Sequence, residues 1–98
     1  MTLENIKTTI TNLQSILPDT EGLQRITLSN TIFDLQNKQA LISFQILDSM
    51  SVSITEEEIQ AVNNSVSDIQ SEITSVEEKT TLVNNAISLG KKILSFIP

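Results

Sequence analysis

The stretch from Ile59 to Leu94, IQAVNNSVSDIQSEITSVEEKTTLVNNAISLGKKIL, carries an apolar repeat whose steps alternate between three and four residues. The apolar residues on this register are Ile59, Val62, Val66, Ile69, Ile73, Val76, Val83, Ile87 and Leu94, with Thr80 and Gly90 at the two weak positions. Such spacing places the apolar side chains along one narrow seam of a helix. The repeat therefore predicts a long, coiled-coil-like helix that packs against one or two neighbouring helices.

Two further helices are predicted upstream of this repeat. The first covers about residues 2–17, where apolar residues keep the helical spacing, and Pro18 ends it because a residue before proline is pushed out of the helical region. The second covers about residues 20–49 and carries two apolar stripes, the first made of Leu28, Ile32, Leu35, Ile42 and Ile46 and the second of Ile26, Phe33, Ala40 and Leu47. Two stripes predict that neighbours cover this helix from two sides.

The start of the third helix is the clearest local signal. Thr55 and Glu58 have the spacing of a capping box, in which the hydroxyl accepts from the Glu58 amide and the carboxylate returns to the Thr55 amide. From there the helical pattern continues over about residues 55–96. Its first 35 residues, from Thr55 to Leu89, would alone span roughly 52 Å as an uninterrupted helix, so the molecule is expected to be a rod.

Together these elements predict an all-α fold with one helical domain over residues 1–98. The favoured architecture is an elongated three-helix arrangement, with the short first helix packed on an antiparallel hairpin of the second and third. The alternative is a four-helix bundle with a break near Thr80, which is a suitable N-cap residue.

The composition argues against catalysis and nucleic-acid binding. The chain has no Cys, His, Tyr or Trp, which leaves no thiol nucleophile, no imidazole base and no common transition-metal ligand. Its net charge of −6 is the wrong sign for a surface that neutralises phosphates. We therefore expect a protein that is not an enzyme and has no cofactor. The N-terminus lacks the order of a signal peptide, and the cytoplasm is the default compartment.

In the expected architecture the short first helix does not reach the tip of the hairpin formed by the second and third helices. Only two helices pack together there, and two helices bury too little apolar surface to be stable alone. A second copy or another helical protein is the expected cover, and the repeat, rich in β-branched residues, favours self-association. The protein is therefore expected to be a protein–protein interaction or oligomerisation module. The residues predicted to form this surface are Ile42, Phe44, Ile46, Leu47, Ile59, Val62 and Val66.

Two alternative functions remain at the level of the sequence. The apolar C-terminal segment also suits a membrane-active, pore-former-like domain, which is the less favoured reading, with contacts predicted at Leu89, Lys91, Lys92, Ile93, Phe96 and Ile97. A packed final helix is the structural reading of the same segment. The chain length and the helical hairpin also fit a small partner of an export system or an effector.

Overall fold

The computed structural model describes residues Met1–Pro98, and its regular structure is entirely helical. Two short 3-10 turns, Leu17–Asp19 and Gln39–Leu41, occur between helices. The α-helices, in chain order, are α1 (Leu3–Ile16), α2 (Gly22–Lys38), α3 (Phe44–Ser53), α4 (Glu56–Gln70) and α5 (Val76–Leu94).

The prediction of the first helix is confirmed. At its start the Thr2 hydroxyl accepts from the Asn5 amide at 3.1 Å, while the Asn5 side chain accepts from the Thr2 amide at 3.0 Å. This reciprocal pair satisfies two backbone donors that have no partner inside the helix. The helix ends at Ile16, and Pro18 lies in the 3-10 turn that follows.

The two long helices predicted from the sequence are each broken into two. The second ends at Lys38, and after the turn the Ser43 hydroxyl caps α3 by accepting from the Ile46 amide at 3.2 Å. The predicted third helix stops at Gln70 and restarts where the Ser75 hydroxyl accepts from the Glu78 amide at 3.2 Å. The three-helix arrangement is therefore wrong.

The position of the second break also differs from the predicted alternative, because Thr80 lies inside α5 rather than at its start. Shortening the helices lets them pack side by side. The radius of gyration is 13.1 Å and the overall dimensions are 41 × 25 × 17 Å, so the expected rod is not formed.

The main helices form a bundle in which α1 runs parallel to α4 and α2 runs parallel to α5. Along the first pair, Asn12 donates to Asn63, and the Gln70 side chain donates to the Ser15 carbonyl at 3.1 Å. Along the second pair, the Gln24 side chain donates at 3.0 Å to both the Thr80 carbonyl and the Asn84 side chain. Helix α5 packs against α1, α2 and α4 and is the central element.

Helix α3 carries the chain from the end of α2 to the start of α4 and closes the base of the bundle. Its inward face buries Leu47 and Met50, and Ile54 follows at its C-terminus. These three residues belong to one apolar core of 19 side chains that includes residues from all five α-helices. The base is therefore covered by the chain itself.

Gly90 marks the closest approach between α5 and its neighbours. A Cβ atom at this position would lie 2.7 Å from Cγ2 of Thr31, 3.3 Å from Leu13 and 3.4 Å from Leu35. Contacts below 3.0 Å require a neighbour to shift. Glycine in this seam position therefore allows α5 to lie directly against α1 and α2.

Candidate interaction surface

The residues predicted to form an open tip lie mostly in the core. Leu47, Ile59 and Val62 are buried, and Ile42, Ile46 and Val66 are half-buried against the core. Only Phe44 is open to solvent, with 83% of its surface exposed. The expectation of an uncovered tip is wrong because α3 folds over it. Self-association remains a prediction, but it needs a different surface.

The predicted membrane segment is likewise part of the bundle. Leu89, Ile93 and Ile97 are buried, and Lys92 and Phe96 are half-buried. Of the six residues predicted to contact a membrane, only Lys91 is exposed. None of the helices combines the length and apolar character needed to cross a membrane.

Lys92 has a partner within the bundle. Its ammonium group donates to both carboxylate oxygens of Glu58, at 3.1 and 3.3 Å. The Thr55 hydroxyl accepts from the Glu58 amide at 3.2 Å as predicted. The carboxylate, however, reaches Lys92 on α5 instead of the Thr55 amide, so the predicted second half of the capping box is wrong.

An apolar ridge runs along the side of α2 that faces away from the bundle. We call the ridge formed by Leu23, Ile26, Asn30 and Phe33 the outer face of α2. The exposed fractions of its apolar members are 78% for Leu23, 58% for Ile26 and 62% for Phe33. The four positions follow steps of three, four and three residues, which is the spacing of a coiled-coil seam. No other part of the chain covers this seam.

Grooves run along both sides of the outer face. The groove between α2 and α5 has a volume of about 580 Å³, and Leu23 and Thr27 form part of its α2 wall. The groove on the opposite side has a volume of about 360 Å³ and includes Leu17, Ile26 and Asn30. A ridge between two grooves is the surface shape that helices use when they pack side by side.

Charge is sparse along this ridge. Arg25 and Asp34 flank it on opposite sides, Glu21 and Lys91 line the groove toward α5, and the other neighbours on α2 are polar and uncharged: Thr27, Ser29, Gln36 and Asn37. The helical positions of these residues follow from 100° per residue around α2. In a chain with a net charge of −6, this face is therefore close to neutral.

The charge is concentrated instead at the end of the bundle that holds the α1–α2 and α4–α5 turns. Within about one helical turn of this end the basic residues are the exposed Arg25 and the half-buried Lys79, and the acidic residues are Asp19, Glu21, Asp68, Glu72, Glu77 and Glu78. We call this region the acidic end. The other six acidic residues share the rest of the molecule with four basic residues.

Besides Leu23 of the outer face, two exposed apolar side chains lie at the same end. Ile73, in the α4–α5 turn, is 96% exposed, and Val76, the first residue of α5, is 79% exposed. Both residues fit the heptad register and were therefore expected to be buried in the seam. The missed signal is the Ser75–Glu78 spacing, which matches a helix start and separates the two halves of the repeat.

A comparison with protein-family models, curated proteins and solved structures finds no match to this chain. No group of three or more acidic side chains is placed to hold a metal ion. The exposed apolar side chains and the distribution of charge are therefore the features on which a functional assignment depends.

Proposed function

We propose that this protein is a non-enzymatic helical module that self-associates through the outer face of α2. The observation that carries the proposal is the heptad-spaced ridge of Leu23, Ile26 and Phe33, which is exposed although its spacing is typical of a buried seam. Apolar side chains that recur on one helix face gain free energy when a second helix covers them.

The occupant that best fits this face is the same face of a second copy. A ridge with a groove on either side is self-complementary, because a two-fold axis places the ridge of each copy into a groove of the other. The low charge of the ridge removes the repulsion that two acidic chains would otherwise experience. The resulting contact is a short coiled-coil-like pair of α2 helices.

The available area supports a weak dimer. Helix α2 has 17 residues, and at 1.5 Å per residue it is about 25 Å long. A strip about 20 Å wide that includes the adjoining parts of both grooves covers roughly 500 Å² per copy, or about 1,000 Å² in total, which is the lower limit for a specific interface. We therefore expect dissociation in the micromolar range. The polar Asn30 in the seam would limit the affinity further while it restricts the register.

Charge also favours an antiparallel pair. In a parallel dimer the two acidic ends would be adjacent, whereas an antiparallel dimer would separate them by a distance comparable to the 41 Å length of the bundle. Antiparallel packing also places the α2 dipoles in the favourable orientation. The proposed assembly is therefore an antiparallel dimer.

Light scattering after size exclusion, across a hundredfold range of concentration, tests the interface. The variant carrying Ile26→Asp and Phe33→Asp should remain monomeric, since it places charges in the apolar seam of both copies. The matched control carries Phe44→Asp and Val52→Asp, which add the same two negative charges at exposed apolar positions on α3. Loss of the dimer in the control but not in the α2 variant would move the interface to α3. A monomeric wild-type protein throughout would reject self-association.

The orientation can be measured separately. The chain has no native cysteine, so Glu72→Cys provides a single spin-label site at the acidic end. An antiparallel dimer should give a long distance between the two labels, close to the 41 Å length of the bundle or beyond it. A short distance between the labels of about 20 Å or less, comparable to two adjacent helix diameters, would indicate a parallel dimer.

A further inference from the structure

We propose that the acidic end is a second docking surface and that its partner is a basic amphipathic helix of another protein. This surface consists of Ile73 and Val76 together with the carboxylates around them. Its apolar side chains are not part of the outer face of α2, so the proposal does not rest on self-association, although Glu21 also lines the groove beside that face.

The turn that presents Ile73 is held by hydrogen bonds. The Ser71 amide donates to the Asp68 carbonyl at 3.2 Å, and the Ile73 amide donates to the Ser71 hydroxyl at 3.3 Å. The Ser75 hydroxyl then begins α5. These contacts order the backbone on both sides of an isoleucine whose side chain is almost fully exposed. A partner would therefore meet an apolar contact that is already in position, which lowers the entropy lost on binding.

Carboxylates lie directly beside the apolar contact. A groove of about 300 Å³ extends from the start of α5 to the α1–α2 turn, and its lining includes Val76, the two acidic residues Asp19 and Glu21, and the basic residue Lys79. Glu72 precedes Ile73 in the turn, and Glu77 and Glu78 follow Val76 in the first turn of α5. A partner that covers the two apolar side chains must therefore approach several negative charges.

This combination determines the chemistry of the partner. Nucleic acid and anionic membranes carry the same sign of charge as the acidic end, as does the acidic end of a second copy, so electrostatic repulsion opposes all three. A small cation would satisfy the charge but would leave Ile73 and Val76 uncovered. A helix with leucines on one face and lysines or arginines beside them satisfies both features at once.

Binding can be measured by fluorescence anisotropy with a labelled synthetic helix of about 18 residues that has a leucine face flanked by lysines. We expect binding to wild-type protein at low salt, and at least tenfold weaker binding to the variant carrying Ile73→Asp and Val76→Asp. The control, Val52→Asp, changes an equally exposed apolar residue on α3 and should bind like wild type. Far-UV circular dichroism verifies that each variant is folded.

The sign of this effect separates docking from general attraction. Ile73→Asp and Val76→Asp add negative charge, so attraction between an acidic protein and a cationic peptide would make binding equal or tighter. Either of those outcomes would overturn the proposal, as would a loss of binding in the Val52→Asp control or the absence of binding to wild type.

The location of the charge requirement is tested with neutral substitutions. Glu72→Gln with Glu77→Gln should weaken binding several-fold, whereas Glu56→Gln with Glu57→Gln, which removes the same charge at the other end, should not. Equal weakening would contradict a site at the acidic end. The variant carrying Ile26→Asp and Phe33→Asp should bind the peptide normally, which makes failure of this proposal distinguishable from failure of the proposed dimer.

Discussion

Replacement of Gly90 by alanine tests the central packing of the bundle. In an exposed helix this change stabilises by about 1 kcal/mol, because alanine has the higher helix propensity. Here the new methyl group would lie 2.7 Å from Cγ2 of Thr31. Thr31 cannot move freely, since it is buried and its hydroxyl donates to the Thr27 carbonyl at 2.8 Å. Overpacking of this kind costs about 1–3 kcal/mol. We therefore expect a net destabilisation of about 1 kcal/mol, or about 4–8 °C in Tm.

A second substitution should reverse the sign. Thr31→Ser removes the clashing Cγ2 atom and keeps the hydroxyl group that donates to the backbone. In this background Gly90→Ala should be neutral or stabilising by up to about 1 kcal/mol, because the propensity gain then exceeds the remaining contacts. The measurement is urea unfolding followed by circular dichroism for the four proteins of the cycle. Ser88→Ala, at an exposed position of α5, provides the propensity control. If Gly90→Ala stabilises the wild-type protein by about 1 kcal/mol, α5 does not approach Thr31 and the packing argument fails.

Three other substitutions test elements on which the surfaces depend. Met50→Ala should destabilise the protein by about 2–5 kcal/mol, because it opens a cavity where α3 closes the base. Val52→Ala, on the exposed side of α3, should change the free energy of unfolding by less than about 0.5 kcal/mol. Equal effects of the two substitutions in urea unfolding would contradict the assigned inward face of α3. Ser75→Ala should cost about 1 kcal/mol through loss of the α5 cap, again in urea unfolding, and no change would argue against a helix start at this residue. Lys92→Ala should cost about 0.2–1 kcal/mol in low salt and less in high salt, since its contact with Glu58 is partly exposed; an effect independent of salt would indicate lost packing instead.

The sequence predicted the helical class and two helix starts correctly, for local reasons. Regular apolar spacing and Pro18 define α1, and the Thr55–Glu58 spacing marks the start of α4. These signals act over a few residues and do not depend on which helices later become neighbours. Elements with strong local signals were therefore predictable from one sequence.

The two breaks were missed because neither contains glycine or proline. The turn before α3 begins with Gln39 and ends at Ser43, and the turn before α5 runs from Ser71 to Ser75. Serine has a modest cost within a helix, so tertiary packing decides whether such a segment stays helical. Breaking the chain lets five α-helices share one core, which buries more apolar surface than a two-helix hairpin can.

The candidate surface was partly visible in the sequence. Ile26 and Phe33 were recognised as a second stripe, but the stripe was expected to be covered by another helix of the same chain. Its exposure depends on the order in which the helices surround the core, and that order is a long-range property. The apolar register also predicts that Ile73 and Val76 are buried, but both are exposed. The register continues by coincidence across the turn between α4 and α5, where no helix aligns the two side chains with the seam.

The parallel pairing of α1 with α4 and of α2 with α5 has a consequence for how the chain folds during synthesis. The hydrogen bonds that join these pairs connect residues 51 to 60 positions apart, as from Asn12 to Asn63 and from Gln24 to Asn84. Pairing over such separations is slow, because a long loop must close before any contact forms. Leu13, which lies against Gly90, has no complete set of neighbours until α5 has left the ribosome. Helices α1 and α2 can pack on each other early, but the first half of the protein cannot complete its core until the second half has been translated.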